Sequence, residues 1–151
     1  MSLTNQLMSE EYAVVGTIDP DAYAAGTVLS DAIDMEKYDS IVAIVMAGTL
    51  GASATLDASV TQAATSGGTY KAITGAAITQ LTQASPDNSD SVALINVRQS
   101  ALDLDNDYRW VKLSMTVATA TSDAGAVILG RAKSRPANDN DLADVVEIVS
   151  V

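Results

Sequence analysis

Residues Tyr108–Gly130, YRWVKLSMTVATATSDAGAVILG, decide how this chain folds. In the first half Val111, Leu113, Met115 and Val117 alternate with Lys112, Ser114 and Thr116. Successive side chains of an extended chain point to opposite faces, so this period of two predicts a half-buried strand. A small, polar link follows, Ala118–Asp123, and then a second apolar run, Ala126–Leu129, closed by Gly130. Two strands joined by a short link predict an antiparallel hairpin at the centre of an all-β domain. Nothing in the stretch is chemically reactive.

Working outward, the same signals recur about every ten residues. Tyr12–Ile18 reads as a strand stopped by the turn residues Asp19-Pro20-Asp21. In Thr27–Met35 the residues Leu29, Ile33 and Met35 share a parity that Asp31 breaks. Ser40–Ala47 is apolar on both parities, which predicts a strand covered on both faces, by a second sheet on one side and by an arm or a neighbouring subunit on the other. Ala54–Ala63 alternates with Leu56, Ala58 and Val60 inward. Ser66-Gly67-Gly68 marks a turn, and Tyr70–Ile73 and Ala76–Leu81 read as two short strands or as one strand broken by a bulge at Gly75. Pro86–Asp90 is a loop, Val92–Arg98 a strand, and Asp103–Asp107 an acidic turn. The β-branched segment Val145–Val151 is expected to pair as a last strand. Residues 1–11, with Leu3, Leu7 and Met8 on one side, are expected to form an arm or frayed turn. Residues 12–151 then form one antiparallel β-sandwich, jelly-roll-like, of about eight or nine strands.

Composition removes many kinds of chemistry. Without His the chain lacks the usual general base and the commonest metal ligand. Without Cys it has no thiolate nucleophile and no disulfide framework. No Lys has Ser three places before it, so an S-x-x-K dyad is absent, and Gly67-Gly68 opens no phosphate-binding helix. Asp103, Asp105 and Asp107 begin like a calcium loop, but Tyr108 and Ser114 stand where such a loop needs Gly and Glu. An ordinary solvated turn is the better reading. The net charge of −11 opposes binding to phosphate backbones and to anionic membranes, and favours solubility or pairing with a basic protein surface. The first residues lack the basic start and apolar core of a secretory signal, and no apolar run could span a bilayer. A soluble protein made in the cytoplasm, with no catalytic, metal or cofactor site, is expected.

One charge pattern points to a protein contact. Residues 1–36 carry seven acids and no base, whereas Arg131, Lys133 and Arg135 would share one face if extended. They read either as charges protecting an edge strand or as a strip meeting acids of an adjoining subunit. Tyr108 and Trp110, of one parity with Lys112 and opposite to the Val111 face, would be aromatic anchors at such a contact or packing groups within one subunit.

Several segments resemble small head proteins of tailed bacteriophages. They are Ser30–Met35 with Lys37-Tyr38-Asp39, Ala54–Asp57, Tyr70–Thr79, Tyr108–Lys112 and Gly125–Gly130, within residues 28–135. The resemblance implies a capsid decoration or cement protein, a β-sandwich that binds the major capsid protein outside the shell as a homotrimer. No catalytic residue and no cofactor come with it. The alternatives are a tail-tube or head-closure component of the virion, or a β-sandwich binding carbohydrate or a cell surface.

Overall fold

The computed structural model describes residues 5–151. The part of the expected arm formed by residues 1–4 lies outside them. A single helical turn, Met8–Glu11, leads straight into the first strand, and the Glu10 carboxylate accepts the Leu7 N–H at 2.8 Å.

Ten strands follow: β1 (Tyr12–Tyr23), β2 (Gly26–Leu29), β3 (Ile33–Asp34), β4 (Tyr38–Ala47), β5 (Thr55–Ala63), β6 (Lys71–Ala77), β7 (Leu81–Thr82), β8 (Val92–Arg98), β9 (Trp110–Ala118) and β10 (Ser122–Ala132). One sheet has the order β1-β10-β4-β8; the other has β2-β9-β5-β6, with β3 added to β9 and β7 to β5. Every pairing is antiparallel. Setting aside the two-residue strands β3 and β7, the chain changes sheet at every connection except β5 to β6. That wrapping is the jelly roll, in which two Greek keys close a sandwich. The predicted all-β sandwich is therefore the fold.

The core is the set of inward side chains of both sheets. Val111, Leu113, Met115 and Val117 of β9 are fully buried, with Leu56, Ala58 and Val60 beside them. Facing them across the sandwich are Ala43 and Val45 of β4, Ile95 and Val97 of β8, and Ile128 of β10. The alternation in β5 and β9 is thus the burial pattern itself. Within the first sheet, β10 makes room for a ring of its neighbour β4 by carrying no side chain at one position. A Cβ built on Gly130 of β10 would lie 2.7 Å from Cδ1 of the buried Tyr38 on β4. Gly130→Ala should force that ring aside and cost about 1–3 kcal/mol, read as a lower midpoint in urea unfolding.

Four expectations are corrected. The strands in Tyr108–Gly130 are not a hairpin: β9 lies between β2 and β5, β10 between β1 and β4, and the link Ala118–Thr121 carries the chain from one sheet to the other. Thr119 takes φ of 75° in that crossing. Asp19-Pro20-Asp21 does not stop β1. The strand runs on to Tyr23 through a register shift between Ile18 and Asp21, because an edge strand with a bulge tolerates the absence of an N–H donor at Pro20. Thr27–Met35 is split into β2 and β3, and Leu29 is exposed instead of sharing the core with Ile33 and Met35. At the break, buried Ser30 accepts the Leu113 N–H at 2.9 Å through Oγ and donates its own N–H to Leu113 O at 2.9 Å. Finally, Val145–Val151 pairs with no strand.

Candidate interaction surface

The outer face of the β1-β10-β4-β8 sheet is built by three strands that are apolar on both parities. In β4 the inward residues are Ile41, Ala43, Val45 and Ala47, which leaves Val42, Ile44 and Met46 pointing out. Register then aligns the outward residues in rows across the sheet. Val14, Leu129, Val42 and Asn96 form one row, and Thr17, Val127, Ile44 and Leu94 the next. Gly125, Met46 and Val92 form a third. Met46, Val92 and Leu94 are 54%, 56% and 58% exposed. Three strand spacings give the face a width of about 14 Å, and the three rows from Val42 to Met46 cover about 14 Å along the strands. An outward face to which three doubly apolar strands contribute is the candidate contact site of this fold.

The two ends of the face differ in charge. At one end the row is Tyr12, Arg131, Ser40 and Arg98, with Met8 of the helical turn at the same corner. At the other end an open cleft of about 850 Å³ has an apolar floor that includes Ile18, Met46, Val92 and Val127. Asp21, Asp90 and Asp123 line its rim, and no Lys or Arg does. In this cleft Pro20 folds over β10: a Cβ on Gly125 would lie 2.9 Å from Pro20 Cα, so the position excludes a side chain.

The residues singled out from sequence fall into two places. Tyr108, Trp110 and Lys112 belong to the outer side of the other sheet and its approach. There each ring meets a cation: Lys71 Nζ lies 4.1 Å from the Tyr108 centroid, Arg109 Cζ 5.6 Å from Trp110, and Lys112 Nζ 4.7 Å from Tyr70. Arg109 also pairs with Asp34 at 2.8 Å and Glu36 at 2.7 Å. Lys71 bonds Asp103 at 2.5 Å. That hydrogen bond, with a second from the Asn106 amide, holds the Asp103 carboxyl below its ordinary range, and it raises the Lys71 ammonium. The acidic turn is thereby tied to its own chain. Arg131 and Arg135 converge on Glu11, at 3.5 and 3.7 Å, while Lys133 turns to Gln99 Oε1 at 3.0 Å. The structure therefore brings Arg131 and Arg135 together and puts the thickness of the sandwich between Arg131 and Trp110.

Sequence reasoning singled out none of the outward residues Val14, Val92, Leu94, Val127 or Leu129 as a contact surface. Their signal was present: Val92–Val97 and Ala126–Leu129, like Ser40–Ala47, are apolar on both parities. Among the described residues no group of three or more acids, His or Cys is placed to hold a metal ion, and no helix is long and apolar enough to cross a membrane.

No family model matches the chain, and no curated protein sequence matches it. Among solved structures, one similar chain comes from the structure of infectious bursal disease virus Gx strain: TM-score 0.49, 12% identity, 84% of this chain and 34% of that one. A Broad Bean Stain Virus chain gives TM-score 0.47 at 7% identity, over 89% of this chain and 92% of that one. A chain of the bursal disease virus Gt strain gives 0.43 at 12% identity, over 91% of this chain and 38% of that one. The chain thus spans little more than a third of the two bursal disease virus chains, and likenesses at these scores carry no argument about its function.

Proposed function

We propose that this chain is a non-catalytic structural protein of a virion. In this reading it decorates the outside of a capsid, docking on the major capsid protein as a homotrimer. Residues 12–151 act as one sandwich domain behind a short N-terminal arm. The observation that carries the reading is the open apolar face of β1, β10, β4 and β8. Burying such a face contributes about 25 cal/mol per Å² of apolar surface, and many copies on one lattice multiply weak contacts by avidity. A protein that binds the mature shell and not its separated subunits stabilises the shell by linkage. The segments that resemble phage head proteins support the same reading, and so does a sequence without His or Cys.

The jelly roll itself hosts capsid and lectin domains alike, so the fold alone does not choose between them. Sugar platforms need open aromatic faces, whereas Tyr70, Tyr108 and Trp110 each carry a cation over the ring. That favours the shell over a glycan. The test is to add the purified protein to expanded heads stripped of it and sediment them. Saturable binding, with copies in fixed proportion to the shell subunits, is expected. Failure to bind, or a few copies in rings at the tail, would overturn the proposal.

A further inference from the structure

Of the four sheet edges, three carry devices that stop another strand from adding. β1 has two register shifts and Pro20, and Asp141 and Leu142 cap it: Val14 N–H donates to Asp141 Oδ1 at 2.7 Å, and Leu142 N–H to Val14 O at 2.9 Å. β2 is four residues long, and β6 is bent at Gly75, where φ is 82°. Short, bulged or covered edges are how β proteins avoid edge-to-edge pairing. β8 has none of these. It is seven residues in unbroken register with β4, without Pro or bulge. The bond from Ala47 N–H to Ser91 O, 2.9 Å, fixes the alternation of the ladder, so the backbone groups of Val92, Leu94 and Asn96 point to the open side.

The same molecule carries a segment suited to fill that edge. Val145–Val151 is rich in β-branched residues, yet Val146 and Val149 are 93% and 76% exposed. Beyond Val145 N–H, which reaches Leu142 O at 3.0 Å, no hydrogen bond holds it among the described residues. Its root is fixed on the β1 edge, the opposite side of the sheet from β8. Its own β8 therefore lies three strands away, while the β8 of a neighbour placed side by side is adjacent.

We propose that Val145–Val151 of one copy adds as a strand to the open edge of β8 in a second copy. With Glu147 on the outer side at the margin of the sheet, Val146 and Ile148 extend the inward side that Ile95 and Val97 occupy in β8. Donor and acceptor lie on opposite edges, so side-by-side exchange is heterologous, and its bounded form is a ring and not a two-fold pair. This holds whether or not the ring sits on a capsid, and its test needs no capsid.

The full chain should be a ring oligomer by native mass spectrometry, and deletion of residues 144–151 should leave a monomer with unchanged circular dichroism. Asn96→Pro should also be monomeric, since the N–H it removes faces away from β4. A synthetic peptide of residues 144–151 should bind the truncated chain and not the truncated chain carrying Asn96→Pro. If Asn96→Pro fails to fold, truncation and peptide binding decide alone. A monomeric full chain, an oligomer that survives truncation, or a folded Asn96→Pro that still assembles would overturn the exchange. A dimer lost on truncation would keep the exchange and overturn the ring.

Discussion

Leu113→Ala should lower the unfolding free energy by about 3 kcal/mol, within the range for emptying a fully buried leucine site. Leu113 has no exposed surface, pairs with Val60 in its own sheet and sits near the middle of β9, an interior strand between β2 and β5. Its main chain is held on the other side by Ser30, through N–H to Oγ and C=O to N–H. Those bonds keep the backbone from collapsing into the space the side chain leaves. The cost should therefore include most of the cavity term and not the transfer term alone. Set against a total stability of about 5–15 kcal/mol, one substitution removes a large share. Urea unfolding should give a lower midpoint with an unchanged slope. Ser114→Ala, one residue along and on the other face, should stay within about 0.5 kcal/mol.

The second large effect belongs to the open face. Ile44→Asp puts a carboxylate at the centre of the apolar rows, between Val127 and Leu94, without touching the inward side of β4. The side chain is already partly exposed, so the fold should survive, with circular dichroism and unfolding midpoint near those of the parent. Binding should not survive. An ionised group desolvated in an apolar contact costs several kcal/mol, so affinity for the shell should fall by about 30-fold or more per contact, and avidity should compound the loss. The control is Ser114→Asp, at a half-buried site on the outer side of the opposite sheet, which should leave sedimentation with heads unchanged. Equal loss in both variants would point to the other sheet, or to destabilisation, and away from this face.

The charge strip shows how a correct local reading can assemble the wrong neighbourhood. Arg131, Lys133 and Arg135 share a parity, and Tyr108, Trp110 and Lys112 share another, so one contact could hold all six. A hairpin would have placed them side by side. The crossover at Ala118–Thr121 instead sends the two strands to different sheets, and Glu11, far away in sequence, comes to lie between Arg131 and Arg135.

By itself the sequence determined, for its clearly alternating segments, that they are strands and which of their sides is buried. The alternation Val111-Leu113-Met115-Val117 specifies a strand and its core face, because the side-chain period of an extended chain is a local property. The doubly apolar runs in β4, β8 and β10 likewise specify that a second apolar face must exist somewhere. Only the tertiary structure decided which strands are neighbours. It paired β1 with β10 from the two ends of the chain, lined up three doubly apolar strands into one open face, and left Val145–Val151 without a partner. Pairing joins backbones distant in sequence, and the backbone is the same at every residue. The choice among partners therefore rests on closing both sheets over one core, and no single stretch of residues contains that information.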